Sequence, residues 1–417
     1  MNVVLATAGT EGDVRPMQAM AKAMQAAGHQ PLLCTAPDFA ESSHSLGIPF
    51  HPVGTPAREI MQRLRHVLTR PFRFLGALRE EFERGARIHF DELMQASAGA
   101  DLVVCSGLEA AGSSVAEVRG IRYKYVAYCA QVFHSRYHPP VIFPWHNLPC
   151  WINRFFWSIN DRLANWLFLD GFNVQRQRVG LAPVDDAPSN LHGNAPLLAA
   201  EPALDWPPSD CRRDIIQTGA WQLPPVEGAA LPREVEDFLA AGPPPVYIGF
   251  GSMGDRRPAQ SFRTVTEAVR LLGCRAIVSQ GWARLAVDSR SHPSMLQAPA
   301  GNCLVVGTMP HALLFPRVAA VIHHGGAGTT TVAARAGVPQ VLVPHLLDQY
   351  YWAARIAKQG LGPRPIPRSW LTVRRLAKAI DQALEPALAV RAKQQAARLQ
   401  DADGAAQAVG VLANNSP

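Results

Sequence analysis

The stretch "RVAAVIHHGGAGTTTVAARAGVPQVLVP", residues 317–344, joins an apolar run, a glycine-rich turn, a helical segment and a second apolar run. Glycine lets a backbone approach a ligand closely, and the start of a helix presents unpaired N–H groups to an anion. Short apolar runs that alternate with helices are typical of parallel sheets. The stretch therefore predicts a strand, turn, helix and strand with an anion-binding turn at residues 323–330.

The same pattern recurs along the chain. Apolar strand candidates and helical segments alternate in "NVVLATAG", "MQAMAKAMQAAGH" and "PLLCTA", then in "DLVVCSG", "AGSSVAEVRG" and "YKYVAYCA". The second half repeats it with "PVYIGFGSM", "RAIVSQ", "CLVVGTM" and "QVLVP". We predict an α/β fold of two facing Rossmann-like, doubly wound parallel-sheet domains, with ligands bound in the cleft at the strand ends.

The predicted boundaries follow the composition of the chain. The Pro- and Gly-rich stretch before "PVYIGFG" is interpreted as a linker, and a long helix is predicted from Val373 to Ala408. The predicted parts are an N-terminal acceptor-binding domain at 1–222, a linker at 223–245, a C-terminal donor-binding domain at 246–395, and a C-terminal helix or tail at 396–417 that packs back on the N-terminal domain.

Composition limits the function classes. The chain has 417 residues, 48% of them apolar, and 40 Lys and Arg against 33 Asp and Glu give a net charge of +7. No dense basic block suits nucleic acid, and seven cysteines without a CxxC pair suggest neither disulfides nor zinc. The chain starts in an apolar strand pattern and lacks an 18-residue apolar run. We expect a cytoplasmic protein that binds no nucleic acid.

Two glycine-rich turns, "FGSMGD" at 250–255 and "HHGGAGTTT" at 323–331, each follow a predicted strand of the second domain. At one sheet edge they could hold a single diphosphate through N–H groups and hydroxyls. Neither GxxxxGK[ST] nor a GxGxxG after an opening strand is present. ATP hydrolysis and hydride transfer are therefore disfavoured.

The segment from Thr308 to Ile356, "TMPHALLFPRVAAVIHHGGAGTTTVAARAGVPQVLVPHLLDQYYWAARI", resembles the donor-binding signature of the UDP-glycosyltransferase superfamily. The likeness is to its bacterial antibiotic, rhamnolipid and sterol glycosyltransferase branch, because "GTEGDVRP" near the start also matches that branch's "GTxGDVxP". The resemblance implies the GT-B fold and inverting transfer of a hexose, glucose first, from a UDP- or dTDP-sugar. It implies no cofactor and no metal.

The resemblance also implies roles for individual residues. His324, rather than His323, is expected to meet the charge of the donor diphosphate, and Asp348 and Gln349 are expected to bind sugar hydroxyls. Asp348 and Gln349 could instead simply begin a helix. The full set of predicted donor-binding residues is Gly12, Ser252, Trp282, Met309, His324, Gly326, Ala327, Gly328, Thr329, Asp348 and Gln349.

Nucleotide recognition is less clearly encoded. The backbone of Met309 is expected to read the base edge, and Trp282 either stacks on the base or is an ordinary core or surface residue. Thr308 and Val332 depart from the plant pattern, which has an aromatic residue and a ribose-binding Glu at these positions. No residue is therefore assigned to base stacking or ribose binding by resemblance alone.

Asp13 is the predicted catalytic base. It stands where many relatives have the histidine of a Gly-His-x-x-Pro loop, and a carboxylate held near an acceptor hydroxyl can take its proton. The acidic partner that such a histidine needs falls at Ser106, which is not acidic, and a carboxylate base needs no such partner. The alternative is that Asp13 caps the helix that ends near Gly28.

Acceptor binding is predicted in two N-terminal regions. Residues 58–88 carry eight arginines and four glutamates and form either an anionic-lipid contact or a solvated helix pair. Residues 141–168 are rich in tryptophan, and we expect an acceptor that is lipophilic and hydroxylated, such as a sterol-like, polyketide or hydroxy-lipid molecule. The predicted acceptor contacts are Trp145, Trp151 and Trp157, whereas a helical stripe is predicted as core: Ile152, Phe155, Phe156, Ile159, Leu163, Trp166 and Leu167.

Two other functions stay open at this point. A nucleotide-sugar epimerase of the same architecture would act on the donor alone. A non-catalytic protein that binds a lipid or a partner subunit would keep the fold without the chemistry. The sequence does not specify an oligomeric state.

Overall fold

The computed structural model describes residues 1–56, 59–60, 63, 71–224, 228–250, 258–279, 302–399 and 403–414. Within these residues the backbone forms one sheet of seven strands and one of five. All of the paired strands run parallel. The predicted α/β fold with two parallel-sheet domains is confirmed.

The N-terminal sheet has the strand order β3-β2-β1-β4-β5-β6-β7. Its strands are β1 (Asn2–Ala8), β2 (Gln30–Thr35), β3 (Phe50–Pro52), β4 (Leu102–Gly107), β5 (Arg122–Ala127), β6 (Leu197–Leu198) and β7 (Ile216–Gln217). The C-terminal sheet has the order β10-β9-β8-β11-β12. Its strands are β8 (Val246–Gly249), β9 (Ala276–Ser279), β10 (Cys303–Val306), β11 (Ala320–His323) and β12 (Gln340–Leu342).

Helices connect the strands of both sheets. Those of the N-terminal half are α1 (Glu11–Ala26), α2 (Ala40–Ser45), α3 (Pro71–Ala96), α4 (Ala111–Arg119), α5 (Cys150–Arg178) and α6 (Ala187–His192). Those of the C-terminal half are α7 (Arg233–Ala240), α8 (Pro258–Leu272), α9 (His311–Leu314), α10 (Ala327–Arg335), α11 (Gln349–Lys358), α12 (Val373–Ala383), α13 (Pro386–Ala396) and α14 (Gly404–Asn414).

The first strand shows why apolar runs predicted parallel sheets. Val3 and Leu5 are buried in the core on one face of β1, and Val4 and Ala6 are buried on the other. A strand that is covered on both faces needs apolar side chains at every position, not at alternate ones. The continuous run at the start of the chain therefore indicates a central strand of a parallel sheet.

Two predicted segments differ from the structure. The predicted linker contains α7, whose Val235 and Leu239 are buried in the core of the C-terminal sheet. The single long helix predicted from Val373 to Ala408 is wrong, because the described part of that segment contains α12, α13 and the start of α14. Pro386 begins α13, since proline lacks the N–H that a continuing helix would need.

The chain passes from the N-terminal to the C-terminal domain and then returns. Its last described helix, α14, packs against α1, and Ala408 and Leu412 join the core that contains Leu5. The outgoing and returning segments touch where a Cβ atom on Gly404 would lie 2.4 Å from the carbonyl carbon of Gly219. The N-terminal domain thus contains both ends of the described chain.

Candidate active site

Asp13 lies in the first turn of α1, directly after the carboxyl end of β1. The backbone N–H and the hydroxyl of Thr10 donate to Asp13 Oδ2 at 2.8 and 3.4 Å. Thr10 is the N-cap residue, and Asp13 occupies the third helical position of a capping box. Asp13 therefore contributes to capping, as the alternative interpretation suggested, but it is not the cap residue itself.

Two glycines make room for the carboxyl group of Asp13. A Cβ atom on Gly9 would lie 2.2 Å from Asp13 Oδ2, and one on Gly107 would lie 3.3 Å from Oδ1. Gly107 has φ +62°, and its Cβ would lie only 2.7 Å from the carbonyl oxygen of Ala8. A side chain at either glycine would displace the carboxyl group or the backbone. The ends of β1 and β4 thereby fix the place of Asp13.

The surroundings of Asp13 suit a proton acceptor. Burial raises the pKa of its carboxyl group, although hydrogen bonds from Thr10 oppose the shift. Ser106 is buried and donates its hydroxyl to Thr7 Oγ1 at 2.8 Å. Tyr128 donates its hydroxyl to the backbone carbonyl of Asp13 at 3.2 Å. Asp13 is thus held in position with a raised proton affinity, which general-base catalysis requires.

His323 is used within the fold. It ends β11, and its Nε2 donates to Gln340 Oε1 at 2.9 Å while its Nδ1 accepts the N–H of Gly325 at 3.1 Å. Burial lowers the pKa of His323 to about 3, so its ring is neutral. Both ring nitrogens are therefore occupied by neighbouring groups, and neither is available to a ligand.

His324 has an unused ring nitrogen. Its Nδ1 is buried and has no hydrogen-bond partner among the described residues, and its Nε2 lies where a Cβ on Gly326 would approach to 2.7 Å. Burial, with smaller contributions from His345 and His311, lowers the pKa of His324 to about 4. The imidazole is therefore neutral at neutral pH in the unliganded protein. A bound dianion would raise its pKa.

The start of α10 completes an anion-binding surface beside His324. Gly326 is the N-cap residue, and the helix begins at Ala327. The first N–H groups of a helix lack partners within it and favour a negative charge. Gly328 is exposed and Thr329 is half-buried, so both are accessible to solvent at the helix start. These features suit a phosphate group at the predicted turn.

Of four other predicted donor residues, the structure describes two, Met309 and Gly12. Met309 is half-buried next to Pro310, in the connection between β10 and α9. Gly12 is exposed in the first turn of α1, beside Asp13. Ser252 and Trp282 lie outside the described residues, so their predicted roles are carried by the sequence alone.

Asp348 and Gln349, which the sequence predicts to bind sugar hydroxyls together, make different contacts in the structure. Asp348 occupies the N-cap position of α11, but its side chain makes no capping hydrogen bond. Gln349 Oε1 accepts the backbone N–H groups of His345 and Leu346 at 2.9 and 3.2 Å. The side-chain oxygen of Gln349 therefore stabilises the preceding turn. Asp348 is left as the carboxylate acceptor at this position.

The turns that carry His324 and Asp348 pack closely together. Gly325 has φ +96°, and a Cβ on it would lie 3.0 Å from the backbone carbonyl oxygen of Gln349 and 3.1 Å from Leu342 Cδ2. Only glycine adopts this conformation readily and leaves this space. Gly325 therefore lets the turn that carries His324 and the turn that carries Asp348 form one continuous surface.

Electrostatic coupling relates the two sides of the interdomain cleft. Burial raises the pKa of Asp348 to about 7, and the charge of Asp13 adds to the shift. Burial and then the charge of Arg15 lower the pKa of His311 to about 4. Asp13 and Arg15 belong to the first turn and a half of α1, whereas Asp348 and His311 follow strands of the C-terminal sheet. The helix start after β1 thus faces the strand ends of the other domain.

This coupling predicts a pH dependence of stability. A carboxyl group with a pKa of about 7 in the folded protein and 3.8 in the unfolded chain holds its proton more tightly when folded. The stabilisation from Asp348 should be complete at low pH and lost as the pH rises towards 7. We expect Asp348→Asn to be more stable than the unsubstituted protein at pH 8 but not at pH 4, by on the order of 2 kcal/mol. Urea unfolding at pH 8 and pH 4 measures the free energy of unfolding of both proteins. An equal difference between them at the two pH values would contradict the prediction.

The predicted acceptor tryptophans have different environments. Trp145 and Trp151 are 56% and 70% exposed. Trp157 is buried, its Nε1 donates to the carbonyl oxygen of His138 at 3.1 Å, and its ring stacks on His134 at 4.2 Å. Trp157 therefore differs from the two exposed tryptophans, but it lines a cavity, and its contact with an acceptor stays a prediction.

The predicted core stripe of α5 also needs correction. Phe155 and Trp166 are 58% and 42% exposed, whereas Phe168, which lies off the stripe, contacts Phe82 of α3 with ring centroids 4.5 Å apart. The helix buries a face that is rotated from the predicted one, because α3 packs on the side of Phe168. Apolar side chains occur on both faces of α5, so periodicity alone could not distinguish them.

A cavity of about 760 Å³ opens beside Trp157. Its floor includes His192, whose ring contacts Tyr125 at 5.0 Å, and the hydroxyl of Tyr125 donates to the carbonyl of Gly107 at 3.0 Å. Gly107 in turn borders Asp13. Five arginines line the cavity: Arg136, Arg154, Arg162, Arg212 and Arg213. Three aspartates, Asp161, Asp186 and Asp210, also line the cavity, so its wall is polar and carries both positive and negative charges.

The arginine-rich segment is partly described. Residues 58, 61–62 and 64–70 lie outside the described residues. In the remainder, Arg63 and Arg84 pair with Glu81, and Arg79 pairs with Glu83. These ion pairs favour the solvated helix pair over a lipid contact. A search of the described helices finds none that is long and apolar enough to span a membrane.

Sequence reasoning missed the two glycines beside Asp13 and the hydroxyl of Tyr128. Gly107 ends the quoted run "DLVVCSG", and a glycine directly after a strand was an available signal for close backbone approach. Nothing in the sequence pairs Tyr128 with Asp13, because 115 residues separate them. Contacts of this range depend on how the parallel strands are ordered.

Two parallel-sheet domains form the fold of the GT-B class of glycosyltransferases, and here the half-buried Asp13 and a helix start suited to an anion lie at strand ends of the two domains. The model of the glycosyltransferase family 28 N-terminal domain matches residues 3–136, and that of the erythromycin biosynthesis protein CIII-like C-terminal domain matches residues 283–409. The chain belongs to the UDP-glycosyltransferase superfamily, in its antibiotic branch, and is a glycosyltransferase.

Individual relatives agree with this assignment. The chain is 39% identical to the vancomycin aglycone glucosyltransferase of Amycolatopsis orientalis, over 99% of this chain and 97% of the relative. It is 29% identical to a sterol 3-beta-glucosyltransferase of Arabidopsis thaliana, over 100% of this chain and 68% of the relative.

Solved structures show the same fold. The glycotransferase of kitacinnamycin superposes with a TM-score of 0.76 at 17% identity, over 100% of this chain and 99% of the other. The glycosyltransferase VinC, solved in complex with dTDP, superposes with a TM-score of 0.68 at 23% identity, over 99% of each chain. At these identities the likeness concerns the fold.

Proposed function

We propose that this enzyme transfers a hexose, glucose first, from a UDP- or dTDP-sugar to a hydroxyl of a lipophilic small molecule, with inversion at the anomeric carbon. The observation that carries the proposal is the arrangement across the cleft. Asp13, with its raised pKa, faces Asp348, whose turn packs against the turn of His324 and its unpartnered Nδ1. The proposed base, the carboxylate proposed to bind the sugar hydroxyls and the surface proposed for the diphosphate thus lie in one cleft.

The reaction follows from these positions. Asp13 takes the proton of the acceptor hydroxyl, and the oxygen attacks the anomeric carbon from the side opposite the diphosphate. The bond between that carbon and the diphosphate oxygen breaks, and its electron pair leaves with the diphosphate. The imidazole of His324, the first N–H groups of α10 and the hydroxyl of Thr329 stabilise the leaving charge. Asp348 orients the sugar through its hydroxyls, and no metal is required.

The donor can be identified with purified protein. We expect the matching nucleotide diphosphate to raise the melting temperature, since a ligand that binds only the folded state stabilises it. A panel of UDP- and dTDP-sugars is then incubated with and without candidate acceptors, and release of the nucleotide diphosphate is measured with EDTA present. Release that depends on both the donor and an acceptor supports transfer. Absence of release with every donor and acceptor pair contradicts it.

The same assay separates the alternatives. An epimerase would change the sugar of the nucleotide without any acceptor and without releasing the diphosphate. A non-catalytic binding protein would show a thermal shift but no turnover. We favour transfer because burial raises the pKa of Asp13 and, among the described residues, the hydrogen bonds to its carboxylate come from Thr10 and not from a basic side chain.

The acceptor is proposed to contact the exposed aromatic side chains and the neighbouring cavity. Trp151 and Trp145 offer apolar surface, while the arginine-lined cavity near His192 suits hydroxyl or anionic groups of the same molecule. An acceptor with an apolar body and a polar or charged end fits both features. The names of the relatives, which include an aglycone and a sterol glucosyltransferase, are compatible with such a molecule.

We expect Trp151→Ala to raise the acceptor KM by about tenfold, because an aromatic contact contributes about 1 kcal/mol or more. The donor KM should not change. Trp370→Ala is the matched control, since Trp370 is 59% exposed and lies in the C-terminal half of the chain. Steady-state kinetics with the acceptor found above measures both. An unchanged acceptor KM in Trp151→Ala would remove this residue from the acceptor site.

A further inference from the structure

A segment of the N-terminal domain that follows β6 and contains residues 204–206 is hydrogen-bonded to α11 of the C-terminal domain. Its central residue, Asp205, is fully buried. The carboxylate of Asp205 accepts the hydroxyl of Tyr351 at 2.6 Å and the backbone N–H of Ala130 at 2.7 Å. It also accepts the N–H of Trp206 at 3.1 Å and lies 3.5 Å from the guanidinium of Arg355. One carboxylate therefore joins both domains.

The neighbours of Asp205 strengthen the same junction. Arg355 donates to the carbonyl oxygen of Leu204 at 2.7 Å and lies 3.7 Å from the ring centre of Trp206. Gln359, one turn further along the chain, also donates to the Leu204 carbonyl, at 2.7 Å. These contacts order α11 against the segment at residues 204–206 over more than one helical turn.

The N-terminal side of this junction leads to the proposed base. Ala130, which donates to Asp205, is two residues from Tyr128, which donates to the backbone carbonyl of Asp13. Cys129 lies between them, and burial followed by the charges of Asp348 and Asp205 raises the pKa of its thiol. Residues 128–130 therefore contact Asp13 on one side and Asp205 on the other.

The C-terminal side leads to the proposed sugar-binding residue. Tyr351, which donates to Asp205, lies in the first turn of α11, three residues after Asp348. Residues three apart on a helix lie on the same side, so a shift of Tyr351 moves Asp348 with it. A continuous set of hydrogen bonds and covalent links thus connects Asp13, residues 128–130, Asp205, Tyr351 and Asp348.

We propose that Asp205 is a positioning residue that sets the separation between the acceptor base Asp13 and the sugar-binding Asp348 across the cleft. This inference rests on the proposed function. A nucleophile and an electrophilic carbon must meet within a narrow range of distance, and a displacement of about 1 Å can reduce the rate about 100-fold. Asp205 contacts neither substrate and acts through Tyr351 and Ala130.

The chemistry of the site explains why a carboxylate is needed. The Asp205 carboxylate accepts hydrogen bonds from two N–H groups and one hydroxyl and forms an ion pair with a guanidinium. An asparagine would turn its own NH₂ group towards one of these donors and leave that donor buried without a partner. Asp205→Asn should therefore loosen the link to Tyr351 or Ala130 without changing the size of the side chain.

The chain offers a matched control for interface loosening. Glu201 is also buried, belongs to the same segment and pairs with Arg335 of the other domain. Arg335 lies at the far end of α10 from the diphosphate surface, so Glu201→Gln breaks an interdomain ion pair without a direct link to α11. General weakening of the interface should affect the two variants alike.

We expect Asp205→Asn to lower kcat by about 100-fold and raise the KM for the sugar donor, while the Kd for the nucleotide diphosphate changes less than about twofold. Glu201→Gln should keep all three values. Tyr351→Phe, which removes a single hydrogen bond, should change them in the same direction as Asp205→Asn by a smaller factor. Equal kinetics in Asp205→Asn and Glu201→Gln would overturn the inference.

A second readout does not depend on turnover. If Asp205→Asn separates Asp348 from Asp13, their charge coupling weakens and the pKa of Asp348 should fall. The titration is followed by the carboxyl carbon resonance in protein labelled with ¹³C-aspartate, assigned by its loss in Asp348→Asn. An unchanged titration in Asp205→Asn contradicts the positioning role even if no donor is ever turned over. If the unsubstituted protein transfers no sugar but the titration of Asp348 still shifts in Asp205→Asn, only the proposed function is contradicted.

Discussion

Asp13→Asn is expected to lower the transfer rate by about 100- to 10,000-fold, the range that a positioned general base contributes. Asparagine keeps an oxygen that accepts the N–H of Thr10, so the capping box and the fold should be preserved. What is lost is the ability to take a proton from the acceptor hydroxyl. The nucleotide diphosphate Kd should not change, because its proposed ligands belong to the other domain.

The measurement is single-turnover transfer with donor and acceptor both saturating, alongside diphosphate binding by calorimetry. Asp101→Asn serves as the matched control, since Asp101 also accepts a backbone N–H, that of Asn2, at 2.8 Å. It lies at the opposite end of the sheet, before β4. Asp101→Asn should keep full activity, and retention of turnover in Asp13→Asn would exclude Asp13 as the base.

His324→Ala is expected to weaken nucleotide diphosphate binding and to lower kcat by about 100-fold, as the loss of one donor to a developing anion does. The variant should fold as well as the unsubstituted protein. Nδ1 of His324 has no hydrogen-bond partner among the described residues, so its removal breaks no hydrogen bond of that atom. Binding is measured by calorimetry, and stability by thermal unfolding without ligand.

For the neighbouring His323 we expect a loss of stability and little change in diphosphate binding. His323→Ala leaves the buried Gln340 Oε1 and the N–H of Gly325 without their partner, and should lower the melting temperature by about 2–6 °C. At temperatures where this variant is folded, its diphosphate Kd should change far less than that of His324→Ala. If both variants lost binding equally, the assignment of separate roles to the two histidines would be wrong.

Most of the architecture could be predicted from the sequence because parallel strands have a strong local signal. The run at Val3–Ala6 is buried on both faces of its sheet, and its apolar continuity is visible without any structure. The motif positions Asp13 and His324 follow such runs directly, so their location at strand ends was also predictable. Residues whose position depends on one neighbouring strand are within reach of sequence reasoning.

What could not be predicted depends on which surfaces meet. The exposed Phe155 and the buried Trp157 lie on one helix with apolar side chains on two faces, and Trp157 is buried against His134 and His138, a contact that helical periodicity does not show. Asp348 and Gln349 were predicted as a pair that binds sugar hydroxyls, and the sequence did not show that Gln349 Oε1 also accepts two backbone N–H groups of the preceding turn. Asp205 carries no local motif, because its partners are 75 and 146 residues away.

The return of α14 to α1 has a consequence for the order of synthesis. Ala408 and Leu412 belong to the same core as Leu5, so that core lacks part of its apolar surface until α14 has been synthesised. The C-terminal domain, whose described strands lie between Val246 and Leu342, emerges before this closure. The domain made first is therefore completed last, and the cleft reaches its final form only after α14 has been synthesised.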